Sequence, residues 1–187
     1  MLNTFYDKFI FTGGLKYAHN NFYLMNLPFL IMPLELLSGL AARQDQHLDL
    51  EIYYCSKYST LSGLLKQFDL DFGLHDEKAL QVVEEFFTAS GWGLIEHLDR
   101  DDANKRAIVV VKDSPIAHAL HGKVKFPVDH FLRGVFAGLF SQVFKADMEC
   151  VESKCLALNE ESCHFVVKQA NEFDFSKKEV RRQLRVD

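Results

Sequence analysis

The chain lacks a long uninterrupted apolar segment, a surplus of basic residues and any internal repeat or low-complexity region. Its most apolar stretch, 22–40, is interrupted by Pro28 and Pro33 and contains Glu35, which makes it unsuited to span a bilayer. The formal net charge is −5, whereas proteins that bind nucleic acids normally present a basic surface. We therefore expect no membrane span and no nucleic-acid partner.

A secretory signal is also missing, because no basic segment followed by an apolar core and small residues precedes the first charged positions. We expect a cytoplasmic protein, in which its four cysteines stay reduced. Clustered cysteines in a reducing compartment are more often metal ligands than disulfide partners.

Catalytic signatures are missing as well. The eight histidines are scattered, and the chain contains no nucleophile elbow, phosphate-binding glycine loop or HExxH motif. The sequence therefore does not indicate an enzyme. A metal-dependent activity stays open as the weakest hypothesis, since a bound ion with a coordination position open to water can activate that water.

Hydrophobic periodicity predicts an α+β fold: helices first, then an antiparallel meander that holds one helix between its strands. We interpret 1–175 as a single domain, best supported over 91–168, and 176–187 as a basic helical tail whose lysines and arginines form a solvated face. The predicted helices begin at Pro33 and cover 47–68, 76–89, 130–144 and 176–184; the predicted strands include 106–112, 146–156 and 163–168.

Glycines at positions 134 and 138 are four residues apart on the predicted helix 130–144. This spacing occurs in membrane-helix dimers, but the segment is too short for a membrane and contains Arg133. We therefore expect that Gly134 and Gly138 let this helix approach a neighbouring element closely.

Soft and hard metal ligands are concentrated near the C-terminal end. Cys155 and Cys163 would meet across the predicted hairpin, and thiolates together with carboxylates are suitable zinc ligands. In a straight strand Glu152 would face away from Cys155, so a shared ion requires a bulge between them. Alternatively, both cysteines are small buried hydrophobic residues and Glu152 is a surface carboxylate.

A fourth ligand would come from the start of the predicted helix, where Asp129 and His130 are adjacent. Carboxylate oxygen and imidazole nitrogen both bind zinc. Asp129 is also a suitable helix N-cap. The two remaining cysteines, Cys55 and Cys150, are interpreted as core residues.

The segment PVDHFLRGVFAG, 127–138, followed by Glu152-x2-Cys155-x7-Cys163-x-Phe165, resembles the 4-vinyl reductase (4VR) domain. The resemblance implies a fold like that of transport-particle tethering subunits and nitric-oxide sensor domains, with several helices packed on a twisted antiparallel sheet, often as a dimer. It also implies zinc, held in members that sense aromatic hydrocarbons by a cysteine ahead of the helix and by the hairpin's Glu, Cys and Cys. Here that first cysteine is replaced by Asp129.

Three functions follow as hypotheses. The first is a zinc-containing domain that binds an apolar, aromatic small molecule between helices and sheet, and acts as a homodimer or through a protein partner. The second is an assembly or tethering module without a small ligand, and the third is the metal-dependent enzyme. Four aromatic residues could line a pocket, with plain core packing as the alternative: Trp92, Phe131, Phe136 and Phe140.

Overall fold

The computed structural model describes residues 15–24, 27–64, 84, 86–88 and 90–185. Most of the predicted helix 76–89 therefore lies outside the described residues. The strands are β1 (Leu15–Ala18), β2 (Asn21–Leu24), β3 (Leu27–Phe29), β4 (Leu94–Asp101), β5 (Arg106–Lys112), β6 (Glu149–Lys154) and β7 (Cys163–Lys168). The helices are α1 (Leu34–Ala41), α2 (Gln46–Ser59), α3 (Pro115–Ala119), α4 (His130–Phe144) and α5 (Lys178–Leu184).

The main sheet has the strand order β4-β5-β7-β6, and all its neighbouring strands are antiparallel. A smaller antiparallel sheet contains β1, β2 and β3. In β5 the β-branched residues suit an extended chain, and Val109 and Val111 are fully buried whereas Ile108 is exposed. The predicted α+β class is confirmed.

Helix α4 forms the centre of the core. Phe136 on this helix is stacked on Phe87, with ring centroids 5.5 Å apart, and meets the edge of Phe165 on β7 at 5.0 Å. These contacts attach the helix to the sheet through aromatic surface, which contributes more to the core than any other side-chain class. The predicted bounds of α4 and β5 are confirmed.

Helices α2 and α4 pack closely where Gly134 and Gly138 face α2. A Cβ atom on Gly134 would clash with the carbonyl oxygen of Tyr53, and one on Gly138 would lie 2.7 Å from the carbonyl oxygen of Lys57. Helix backbones can approach this closely only where a side chain is missing. The expected role of the two glycines is confirmed.

Side chains cover the outer edge of β6. The hydroxyl of Tyr53 accepts a hydrogen bond from the Cys150 N–H (3.1 Å) and donates one to Glu149. The carboxamide of Gln183 accepts from the Glu152 N–H (2.8 Å) and donates to the Glu152 carbonyl oxygen (3.0 Å). These bonds satisfy backbone groups that an edge strand otherwise leaves unpaired.

Helix α5 is packed against the domain, with Val180 and Leu184 buried. The guanidinium of Arg182 lies 3.8 Å from the centroid of the Phe126 ring and 3.3 Å from a carboxylate oxygen of Asp49. The prediction of a solvated basic face is therefore wrong for Arg182. Its stem and head are used to hold the helix in place.

The four cysteines are all free thiols. Cys150 is buried, as predicted, but the prediction that Cys55 belongs to the core is wrong, because it is exposed on α2. The buried side of α2 carries Leu50, Tyr53 and Lys57, which recur at helical spacing, and position 55 falls outside that stripe. Among the described helices, none has the length and apolar character that crossing a bilayer requires.

Candidate metal centre and aromatic interior

Three of the predicted ligands meet at the hairpin of β6 and β7. Donor atoms of Glu152, Cys155 and Cys163 all lie within 4.8 Å of one another, and all three side chains are buried. Cys163 begins β7, and Cys155 follows the last residue of β6. The register of the two strands shifts between Glu152 and Lys154, which is the bulge that a shared site requires.

Asp129 lies beside this group, at the N-cap position of α4. Among the described residues its side chain makes no capping hydrogen bond; Oδ1 instead accepts one from the Ser114 hydroxyl at 2.8 Å. Its carboxyl group also interacts with the Cys163 thiol. Its backbone N–H donates to Oε2 of Glu152 at 3.1 Å. The residue thus contacts both sides of the hairpin, although it is not one of the three groups within 4.8 Å.

His130 is directed to a different set of partners. Its Nε2 lies 3.1 Å from Oδ1 of Asp49, and its Nδ1 lies 3.3 Å from an Arg133 guanidinium nitrogen. Burial lowers the pKa of His130, so the ring is kept neutral. The structure therefore does not bring His130 together with the two cysteines, and Asp129 is the better placed of the two predicted fourth ligands.

The electrostatics of the cluster are those of several acids sharing one dry space. Burial raises the pKa of Asp129 to about 6 and raises the pKa of Glu152 well above its ordinary value. A hydrogen bond from the Cys163 thiol lowers the pKa of Cys155, and the same bond raises the pKa of Cys163. Without a cation these groups cannot all ionise together, because each added charge opposes the next.

The donor set fits a divalent metal ion. Within the described part of the chain, Oδ2 of Asp129 and Oε1 of Glu152 are buried without a hydrogen-bond partner. Buried polar atoms are normally paired, so two orphaned carboxylate oxygens beside two thiols identify groups that a cation would satisfy. Two sulfurs and two oxygens could complete the four-coordinate shell that zinc takes in structural sites.

A first prediction concerns Asp129→Asn in metal-free protein. The folded pKa of Asp129 is about 6 against an ordinary value of 3.8, so its ionisation destabilises the folded state above that range. The amide of the variant carries no such penalty, and we expect the melting temperature to rise by about 5 °C near neutral pH. The gain should shrink as the pH falls through about 6, where Asp129 takes up a proton. Calorimetry in chelator at several pH values measures it.

The same variant should have the opposite effect in zinc, because the amide supplies no negative charge to the ion. His130 and the other titrating groups are common to both proteins, so their contributions cancel in the comparison. A variant that is destabilised to the same extent with chelator and with zinc would contradict this assignment of Asp129.

The four aromatic residues predicted to line a pocket divide into two pairs. Trp92 and Phe131 are partly buried, with ring centroids 6.2 Å apart and planes inclined by 44°. Phe136 and Phe140 are completely buried and contact other phenylalanines, so they belong to the core. Only the first pair keeps ring surface available to another molecule.

Two residues of the site were not predicted from sequence. Ser114 precedes Pro115, which is a recognisable helix start, and its hydroxyl accepts the Ala117 N–H; its hydrogen bond to Asp129 has no local signal. Gln183 lies 31 residues after Glu152, and its pairing with that backbone depends on how α5 docks.

Comparisons with known proteins agree with this architecture. Residues 107–169 match the model of the vinyl-4-reductase domain. No curated protein sequence matches the chain. Among solved structures, the phenol-responsive sensory domain of the transcription activator PoxR, determined with phenol, has 14% identity and a TM-score of 0.72, and the alignment covers 98% of each chain.

Two further structures are similar at lower scores. A trafficking protein particle complex subunit 3 from Naegleria fowleri, covalently bound to palmitic acid, has 14% identity and a TM-score of 0.50 over 72% of this chain and 93% of its own. A vinyl-4-reductase family protein from Methanocaldococcus jannaschii has 14% identity and a TM-score of 0.45 over 76% and 99%. Residues 107–169 of this chain therefore form a vinyl-4-reductase domain, and the predicted resemblance to the 4-vinyl reductase domain family is confirmed.

Proposed function

We propose that this protein is a zinc-containing domain that binds an apolar, aromatic small molecule and passes the signal on through a homodimer or a protein partner. The observation that carries the proposal is the partly buried pair Trp92 and Phe131, placed between α4 and the strand segment that leads into β4. Aromatic rings that the core does not fully enclose are suitable walls for a small aromatic ligand. The fold supports the proposal, because nearly the whole chain overlaps that of a phenol-responsive domain.

Zinc is part of the proposal as a structural ion. Glu152, Cys155 and Cys163 would bind it together with Asp129, and the four ligands would leave no position for water. Such an ion would join the β6–β7 hairpin to the start of α4. Because α4 also carries Phe131, the ion would fix one wall of the proposed ligand site.

We further propose a homodimer in the cytoplasm. Exposed apolar side chains around the start of α1 support a protein contact there: Leu30 is 82% exposed and Ile31 is 80% exposed. Free thiols throughout the described chain are compatible with a reducing compartment.

Phenol is the simplest probe of the proposed ligand site. Trp92 is the only tryptophan, so its fluorescence reports this position alone. We expect phenol to change that fluorescence saturably, and Phe131→Leu to weaken phenol binding by about tenfold through loss of ring contact. Isothermal calorimetry on wild type and variant gives the affinities directly.

Phe140→Leu is the matched control, since it makes the same chemical change at a fully buried ring stacked on Phe144. It should lower the melting temperature and leave the phenol affinity within about twofold. Wild-type protein that forms a dimer but binds neither phenol nor larger aromatic compounds would contradict the sensing function and favour an assembly module instead.

A further inference from the structure

The two carboxylates of the candidate metal centre are held in the same way. In each, one oxygen is fixed by a hydrogen bond from the protein: Oε2 of Glu152 by the Asp129 N–H at 3.1 Å, and Oδ1 of Asp129 by the Ser114 hydroxyl at 2.8 Å. In each, the other oxygen is buried without a partner among the described residues. A carboxylate fixed at one oxygen presents the other in a defined direction.

Ser114 is well suited to hold Asp129 in this way. It is fully buried, and its hydroxyl also accepts the Ala117 N–H at 3.4 Å as the N-cap of α3. That acceptance leaves its single proton for Oδ1 of Asp129. The serine is therefore oriented by one helix while it orients a residue at the start of another.

We propose that Ser114 is a positioning residue that makes Asp129 an oxygen ligand, giving a metal site with two sulfurs and two oxygens. This inference rests on the zinc site of the proposed function and adds to it the residue that enables an aspartate to replace a thiolate. The consequence is selectivity. A site with two carboxylates favours zinc and cobalt over softer ions such as cadmium, compared with a site containing a third thiolate.

Cobalt(II) and zinc titrations of a small set of variants test the proposal. Ser114→Ala should weaken Co²⁺ and Zn²⁺ binding by roughly tenfold or more, the usual effect of removing a group that orients a ligand. The sulfur-to-cobalt charge-transfer band should keep its intensity, because both thiolates remain. Ser114→Thr, which keeps a hydroxyl, should bind like wild type. Ser114→Gly, a milder change at an N-cap, provides a second hydroxyl deletion if the alanine variant folds poorly.

The decisive comparison uses Asp129→Cys. This variant should intensify the charge-transfer band in proportion to a third sulfur and raise cadmium affinity relative to zinc. In that background Ser114→Ala should leave metal affinity unchanged within about twofold, because a thiolate does not depend on the serine for its direction. Loss of the α3 cap would occur in both backgrounds alike, so the melting temperature should fall equally in both.

Three results would overturn the inference. Equal loss of affinity on Ser114→Ala in the wild-type and Asp129→Cys backgrounds would mean that the serine acts only through the fold. Unchanged affinity in the wild-type background would mean that it does not orient the carboxylate. Wild-type protein that binds neither ion would contradict the metal site itself, and the inference with it; binding by wild type without a Ser114 effect contradicts the inference alone.

Discussion

Serine at position 155 or 163 is expected to abolish zinc binding and to lower the melting temperature by about 10 °C or more. The two sulfurs lie with Glu152 in one buried group whose donor atoms are within 4.8 Å of one another. A hydroxyl does not ionise at neutral pH and is a poor zinc ligand, so the remaining acids would again be crowded without a cation. Metal content by mass spectrometry and melting by calorimetry, on protein purified without chelator, report both effects.

Two other cysteines provide matched controls for the same substitution. Cys55→Ser lies at an exposed position on α2 and should change neither zinc content nor melting temperature appreciably. Cys150→Ser removes a buried thiol outside the three-residue group, so it should lower stability while zinc remains bound. Zinc loss in either control, or full zinc retention in both Cys155→Ser and Cys163→Ser, would place the ion elsewhere.

Alanine at Gly134 should destabilise the fold by at least about 3 kcal/mol. The added methyl would clash with the carbonyl oxygen of Tyr53 and lie 2.5 Å from Cβ of Ser56, so helices α2 and α4 would have to separate. Backbone atoms cannot move aside as a flexible side chain can. Separation would also pull Tyr53 away from the edge of β6, which its hydroxyl covers. Urea unfolding, or the yield of folded protein if the variant is too unstable, measures the effect.

Gly39→Ala tests whether a glycine in a helix is the cause. Gly39 lies in α1, and no described atom is within 4 Å of the position its Cβ would occupy. Alanine there should stabilise the protein by about 0.5–1 kcal/mol through its better helix propensity. If Gly134→Ala were as well tolerated as Gly39→Ala, the close contact between α2 and α4 would be wrong.

Local patterns were sufficient for the elements that carry the site. The helix 130–144 and the strand 106–112 have the predicted bounds, because each combines strong periodicity with a clear polar start or end. The bulge after Glu152 could also be predicted, because a strand without one would separate Glu152 from Cys155.

Long-range contacts account for what the sequence could not predict. Arg182 belongs to a basic run that usually indicates a solvated surface, yet the docking of α5 places it over the Phe126 ring and against Asp49. Ser114 donates to a residue 15 positions away, and Cys55 is exposed because packing selected a different side of α2. None of these depends on neighbours in sequence, so periodicity contains no trace of them.

The carboxamide of Gln183 occupies the place that a further strand would take beside β6, since it matches both backbone groups of Glu152. Loss of the seven-residue helix that carries it would leave an open strand edge next to a metal ligand. Chains truncated before residue 178 would then be prone to join edge to edge, and self-association through β-strand addition is the hazard from which α5 protects this domain.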